Sequence, residues 1–157
     1  MGETHTPLLR CRGLSKTYHM PGSRSSEAQS LEVLSGVDFD LDAGEMVSIV
    51  GQSGTGKSTL LQILGTLDSP SSGSVAYHGE DVFLLPEKKI AAFRNEKIGF
   101  IFQFHHLLAE FTALENAMLP ALIHGQKRKD AMERASELLT EVGLAARMEH
   151  KPGELSG

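Results

Sequence analysis

The sequence has one cysteine, Cys11, so no internal disulfide can hold it together. Such a chain relies on burial rather than cross-links, which fits a reducing compartment. It has no apolar run approaching the ~20 residues that a membrane-spanning helix needs, which leaves any role at a membrane to a partner. The first residues, Met1-Gly2-Glu3-Thr4-His5, lack the basic and apolar regions of a secretory signal, so the expected location is cytosolic. Positive charge is scarce. The formal net charge is −5, and the cluster Lys127-Arg128-Lys129 reads as a solvated helix start, so nucleic acid is not an expected partner. There is no internal repeat. Glycine is plentiful, at 16 of 157 residues, while 40 % apolar and 22 % charged residues are ordinary for a globular chain.

Periodicity divides the chain into a strand-rich front and a helical back. Leu8–Tyr18 suits an extended segment, and the polar stretch 20–30, with Pro21-Gly22, reads as a flexible loop. Val37, Phe39 and Leu41 alternate with Asp38, Asp40 and Asp42, the pattern of a strand with one wet face. Met46–Val50 is short and apolar without alternation, which predicts a strand buried on both faces. Leu60, Leu61, Ile63, Leu64 and Leu67 fall at helical spacing, and a strand follows near Ser74–His78. Pro86 opens a polar helix, and Ile98–Phe102 reads as another apolar strand. Thr112 and Glu115 form a capping box for a helix that Pro120 kinks or ends. A last helix carries Met132, Ala135, Leu138, Leu139 and Val142 on one face, and Gly143 with Leu144 closes it. The expected join between the two parts is near Gln103.

Between the predicted strand Met46–Val50 and the predicted helix lies Gly51-Gln52-Ser53-Gly54-Thr55-Gly56-Lys57-Ser58, which matches the phosphate-loop pattern G-x-x-x-x-G-K-[ST]. Glycines let the backbone curl so that successive N–H groups face an anion, and the following helix presents its positive end to it. Lys57 is a cation able to reach terminal phosphates, and the Ser58 hydroxyl is a hard oxygen ligand suited to Mg²⁺. Tyr18 precedes the loop as an aromatic able to stack on a base. Gln103 ends the apolar stretch Ile101-Phe102-Gln103 after it. The sequence closes on Pro152-Gly153-Glu154-Leu155-Ser156-Gly157.

This order of Tyr18, Gly51–Ser58, Gln103 and Leu155-Ser156-Gly157 resembles the ATP-binding cassette (ABC) ATPases over nearly the whole chain. Within that family, Gln103-Phe104-His105-His106-Leu107-Leu108 followed by Phe111-Thr112-Ala113-Leu114-Glu115-Asn116 looks like the lipoprotein-releasing (LolD-type) branch. The resemblance implies an α/β phosphate-loop NTPase fold: an ABC-type core of mixed sheet with an antiparallel β subdomain over residues 1–103, and a helical subdomain over 104–157, truncated at the signature motif. It implies ATP and Mg²⁺ as ligands. Tyr18 is then expected on adenine, Gly51–Ser58 with Thr59 on the phosphates, and Ser58 with Gln103 on the metal. Ser156 and Gly157 are expected to contact nucleotide held by a second copy. The other implied partners are integral permease subunits at the cytoplasmic face of an inner membrane, with Phe104, His105 and His106 as the docking residues.

The departure from the family pattern is that no apolar run ends in Asp-Glu and no later switch histidine follows. The resemblance therefore implies an N-terminal fragment that binds ATP without hydrolysing it. Alternatives left open are the ATPase of a macrolide exporter or cell-division complex, and a non-catalytic nucleotide-binding module. Leu107 and Leu108 are expected to be core packing of the helical part.

Overall fold

The computed structural model describes residues 6–19, 30–104 and 106–155. The chain parts into two compact units at Arg94/Asn95, ahead of the join expected near Gln103. The polar stretch read as a flexible loop falls at residues 20–29, outside the described residues, up to Ser30.

The first unit is built on an antiparallel sheet. Its strands are β1 (Leu9–His19), β2 (Ser30–Leu41), β3 (Ser72–Tyr77) and β4 (Glu80–Asp81), in the order β2-β1-β3-β4. Register follows the alternation in the sequence. Leu9, Cys11 and Leu14 of β1 oppose Leu41, Phe39 and Val37 of β2, and Leu9 and Cys11 oppose Tyr77 and Val75 of β3. One face is apolar and receives α1 (Lys57–Leu64), whose Leu60, Ile63 and Leu64 are buried against Leu9, Cys11, Leu14, Leu34 and Val75. Burial of this kind contributes about 1.5–3 kcal/mol per large aliphatic side chain. The Tyr77 hydroxyl donates to the Leu64 carbonyl at 2.6 Å, which ties the end of α1 to the sheet. On the wet face Asp40 accepts from Arg12 at 2.7 Å and from Arg10 at 3.3 Å. β3 is the strand expected near Ser74–His78, while β4 and the turn through His78-Gly79 that joins it to β3 have no counterpart in the sequence reading. The helix α2 (Glu87–Lys97) follows Pro86, as its position predicts.

The second unit pairs α3 (Ala113–Ile123) with α4 (Arg128–Glu141) around Met118, Ala131 and Ala135. The capping box is present in both directions: the Glu115 N–H donates to Thr112 Oγ1 at 3.2 Å, and the Thr112 N–H to Glu115 Oε2 at 3.0 Å. The N–H groups of Ala113 and Leu114 donate to the carbonyls of His150 and Met148, so the chain beyond α4 closes on the start of α3. The α4 end is a Schellman closure: the Leu144 N–H donates to the Leu139 carbonyl at 2.7 Å and the Gly143 N–H to the Thr140 carbonyl at 3.0 Å.

Several expectations need correction. Met46–Val50 and Ile98–Phe102 are not strands, and Met46 and Ile101 are essentially fully exposed. A strand buried on both faces exists only where neighbouring strands take up its N–H and C=O groups, and among the described residues no ladder includes either segment. Pro120 does not end its helix. α3 runs on to Ile123, and the Asn95 side-chain amide donates to the Pro120 carbonyl at 3.1 Å. On α4 the buried stripe is Ala131, Ala135 and Leu139, while Met132, Leu138 and Val142 are exposed. Small residues let α4 lie close to α3, and the larger apolar ones fall outside that contact. Leu61 and Leu67 are exposed as well, and α1 stops before Leu67. Leu107 and Leu108 are likewise exposed rather than core. The Leu108 backbone is held instead by the Asn116 amide, which accepts from the Leu108 N–H at 2.9 Å and donates to its carbonyl at 3.1 Å.

Candidate nucleotide site

The loop before α1 is shaped by two glycines. Gly54 and Gly56 have φ of +83° and +87°, left-handed conformations that a Cβ disfavours. Gly56 also lies directly against β2. A Cβ there would stand 2.7 Å from the Val33 carbonyl oxygen and 2.8 Å from Leu34 Cδ2, whereas at Gly54 it would meet nothing within 4 Å. The Lys57 ammonium reaches back across the loop and donates to the carbonyls of Gly51 at 2.9 Å and Gln52 at 2.5 Å. The Thr55 hydroxyl donates to the same Gln52 carbonyl at 2.9 Å. Gly56 stands at the N-cap of α1 and has no side chain to cap it, so among the described residues the first N–H groups are left for an external acceptor.

The result is an open recess of about 330 Å³ lined by Val33, Ser53, Gly54, Gly56, Lys57, Ser58 and Thr59. It fits a polyphosphate: a cation, an uncapped helix end and hydroxyls converge on it, and no carboxylate lines it among the described residues. The exposed Ser58 hydroxyl is an oxygen donor of the kind a hard divalent cation takes. A larger recess of about 670 Å³ lies along α4, but there the carboxylates of Glu133, Glu137 and Glu141 outnumber the one cation, Lys129, which disfavours an anion.

Tyr18, near the end of β1, is 38 % exposed, leaving part of its ring free. Its hydroxyl donates to Asp68 Oδ2 at 2.8 Å, and this bond, with partial burial, raises the phenol's pKa above its ordinary value. The Thr59 hydroxyl acts in the opposite sense through a hydrogen bond to the phenol. Tyr18 and the first turn of α1 are thus brought together within one unit. Gln103 and Phe104 lie in the second unit on an exposed segment without helix or strand. His106, φ +47°, meets Phe102 edge-on with 4.8 Å between ring centroids. His105, Ser156 and Gly157, expected for docking and for contact in trans, lie outside the described residues.

The sequence reading missed Val33, Lys16 and Asp68. Val33 carried no signal, because only the crossing of β2 over the loop puts it there. Lys16 did carry one: it stands two residues before Tyr18 on the same strand, which places both on one face.

Comparison with known proteins agrees with this geometry. The ABC transporter family model matches residues 34–157. The lipoprotein-releasing system ATP-binding protein LolD of Geobacter metallireducens is 57 % identical over 150 residues, covering 96 % of this chain and 64 % of that protein. The LolD of Bacteroides thetaiotaomicron is 59 % identical, again over 96 % of this chain and 64 % of its own length. Among solved structures, the dimeric structure of a bacterial ABC transporter cassette superposes with a TM-score of 0.82 at 35 % identity, covering 95 % of this chain and 63 % of that one. A post-hydrolysis state of the same cassette, bound to ADP and Pi, gives 0.81 at 35 % identity, over 94 % and 63 %. The chain spans a little under two thirds of the length of these relatives. The phosphate-loop core with its antiparallel sheet and helices is the ABC-type fold, and the chain belongs to the ABC transporter family, its likeness there being to ATP-binding proteins of the LolD type.

Proposed function

We propose that the chain holds Mg·ATP in the recess at Gly51–Ser58 and is the nucleotide-binding part of an ATPase that powers lipoprotein release from an inner membrane. The observation that carries this reading is the Lys57 ammonium seated on the Gly51 and Gln52 carbonyls, in a recess open to the uncapped end of α1. An arriving polyphosphate is a stronger acceptor than two neutral carbonyls, so Lys57 is poised to transfer its hydrogen bonds. In this reading Tyr18 stacks on the base, with Thr59 beside the phosphates. Ser58 and Gln103 offer oxygens to Mg²⁺. Residues 1–103 act as the nucleotide-binding core and 104–157 as the helical subdomain, with Phe104, His105 and His106 receiving the permease subunits.

The names of the LolD relatives support the lipoprotein branch, and the dimeric cassette supports a second copy as partner, with Ser156 and Gly157 facing its nucleotide. Such a protein sits peripherally on the cytoplasmic face of the membrane. Phosphoryl transfer to water needs further groups that position the water and stabilise charge. No apolar run ending in Asp-Glu is present, so we expect binding without turnover from these residues, and hydrolysis from a protein of the relatives' full length.

Calorimetric titration with Mg·ATP tests the assignment. Losing a charge-assisted contact in Lys57→Ala should weaken binding roughly ten- to a hundredfold. Equal affinity for both proteins removes the basis of the reading.

A further inference from the structure

Two side chains of the first unit, Lys16 and Asp68, converge on Tyr18, and phosphate binding explains neither. The Tyr18 hydroxyl donates to Asp68 Oδ2 at 2.8 Å. The Lys16 ammonium donates to Asp68 Oδ1 at 2.7 Å and to the Ser69 carbonyl at 2.6 Å. The same ammonium lies over the Tyr18 ring, 4.8 Å from its centroid. The Ser69 N–H adds a bond to Asp68 Oδ1 at 2.7 Å, so both carboxylate oxygens are engaged. This is not a loose surface pair, since the Lys16 side chain is only 12 % exposed.

The position of Asp68 gives the cluster its meaning. α1 begins at the phosphate loop and ends at Leu64. Thr66, with φ +58°, then reverses the chain, and the N–H groups of Leu67 and Asp68 both donate to the Gln62 carbonyl, at 2.8 and 3.3 Å. Asp68 is thereby folded back onto the helix whose first turn lines the recess. One helix carries both the phosphate loop and the anchor of the aromatic ring. The ammonium stands 4.8 Å from the ring centroid, and the residue remains 38 % exposed, so part of the ring is open to a flat ligand.

We propose that Asp68, with Lys16, is a positioning latch for Tyr18, fixing the ring relative to the phosphate loop so that a ligand carrying an aromatic base is preferred over a bare polyphosphate. The proposal rests on the nucleotide reading above. Stacking requires a fixed ring plane. A ring already held by its hydroxyl loses no rotamer freedom when the base arrives, whereas a free one must be ordered at that moment.

The test compares Mg·ATP with Mg·tripolyphosphate by calorimetry on the whole chain and on Tyr18→Phe, Asp68→Asn and the double variant. Tyr18→Phe keeps a stacking ring and removes the hydroxyl with its bonds to Asp68 and Thr59, whereas Asp68→Asn leaves the Thr59 bond in place. Each single variant should lose roughly two- to tenfold in ATP affinity, the range expected for ordering one side chain on binding, and nothing for tripolyphosphate. The double variant should lose no more than either single one. Unchanged ATP affinity in Tyr18→Phe overturns the latch, and so does an equal loss for both ligands, which marks Asp68 as merely structural. If Asp68→Asn fails to fold, Tyr18→Phe decides alone, because its ring is partly exposed and the change removes one atom. Lys57→Ala separates the two readings, since it should weaken both ligands. An unsubstituted chain that binds neither ligand overturns the nucleotide reading and the latch with it, whereas a chain that binds both while its latch variants are unchanged overturns the latch alone.

Discussion

Gly54 and Gly56 offer a controlled comparison of conformational strain and steric contact. Both have left-handed φ, +83° and +87°, and both stand in the same loop. Alanine at either position costs about 1–2 kcal/mol for its Cβ in that conformation, offset by about 0.4–1 kcal/mol from a stiffer unfolded chain. At Gly54 nothing else happens, because no atom lies within 4 Å of the added carbon. At Gly56 the added carbon meets the Val33 carbonyl oxygen at 2.7 Å and Leu34 Cδ2 at 2.8 Å. Leu34 is buried, and the Val33 carbonyl is backbone, so neither can swing aside. Forcing a methyl into packed surroundings adds about 1–3 kcal/mol. Gly56→Ala should therefore be less stable than Gly54→Ala by about 1–3 kcal/mol, or roughly 2–12 °C in melting temperature for a chain of this size. Denaturant and thermal melts of the two variants measure the difference directly. Equal costs would refute the close approach of β2 to the loop, and with it the shape of the recess.

Other consequences follow from specific groups. Hydrogen bonds from Lys16, Tyr18 and the Ser69 N–H outweigh burial and hold the Asp68 carboxyl below its ordinary 3.8. A lowered carboxylate stabilises the fold above its ordinary value and loses that contribution as pH falls through the lowered one, so acid should destabilise the chain more than Asp68→Asn. Parallel acid titrations of stability for the two proteins would contradict this. The Cys11 thiol is fully buried and pushed up to about 11, first by burial and then by Asp38. It should resist thiol reagents at mildly alkaline pH until the chain unfolds, and rapid modification of the native protein would count against its placement. The exposed apolar segments around Met46, Val50 and Ile101 should make the chain self-associate, and Met46→Lys with Ile101→Lys should reduce this in light scattering. A monodisperse unsubstituted chain at high concentration would argue otherwise.

Much of the site was legible because its chemistry is local. Gly51–Ser58 announces itself by spacing, since a backbone curl and a helix start are properties of consecutive residues. The Thr112–Glu115 capping box and the Gly143–Leu144 closure are equally local, and both form as their residues dictate. The alternation at Val37–Leu41 likewise determined which face of β2 meets the core. What escaped was much that depends on a distant partner. Met46–Val50 and Ile98–Phe102 have strand-like composition, yet a strand is a property of a ladder, and no described segment completes one with them. The buried stripe of α4 was settled by how closely α3 approaches, which favoured Ala131 and Ala135 over Met132 and Leu138. The links between Tyr18 and Asp68, and between Gly56 and Val33, join residues far apart in the chain. By itself the sequence determined the phosphate loop, the helix caps and the family. Only the tertiary structure decided which side chains surround the loop and hold Tyr18, because those contacts arise from sheet register and chain reversal rather than from neighbouring residues.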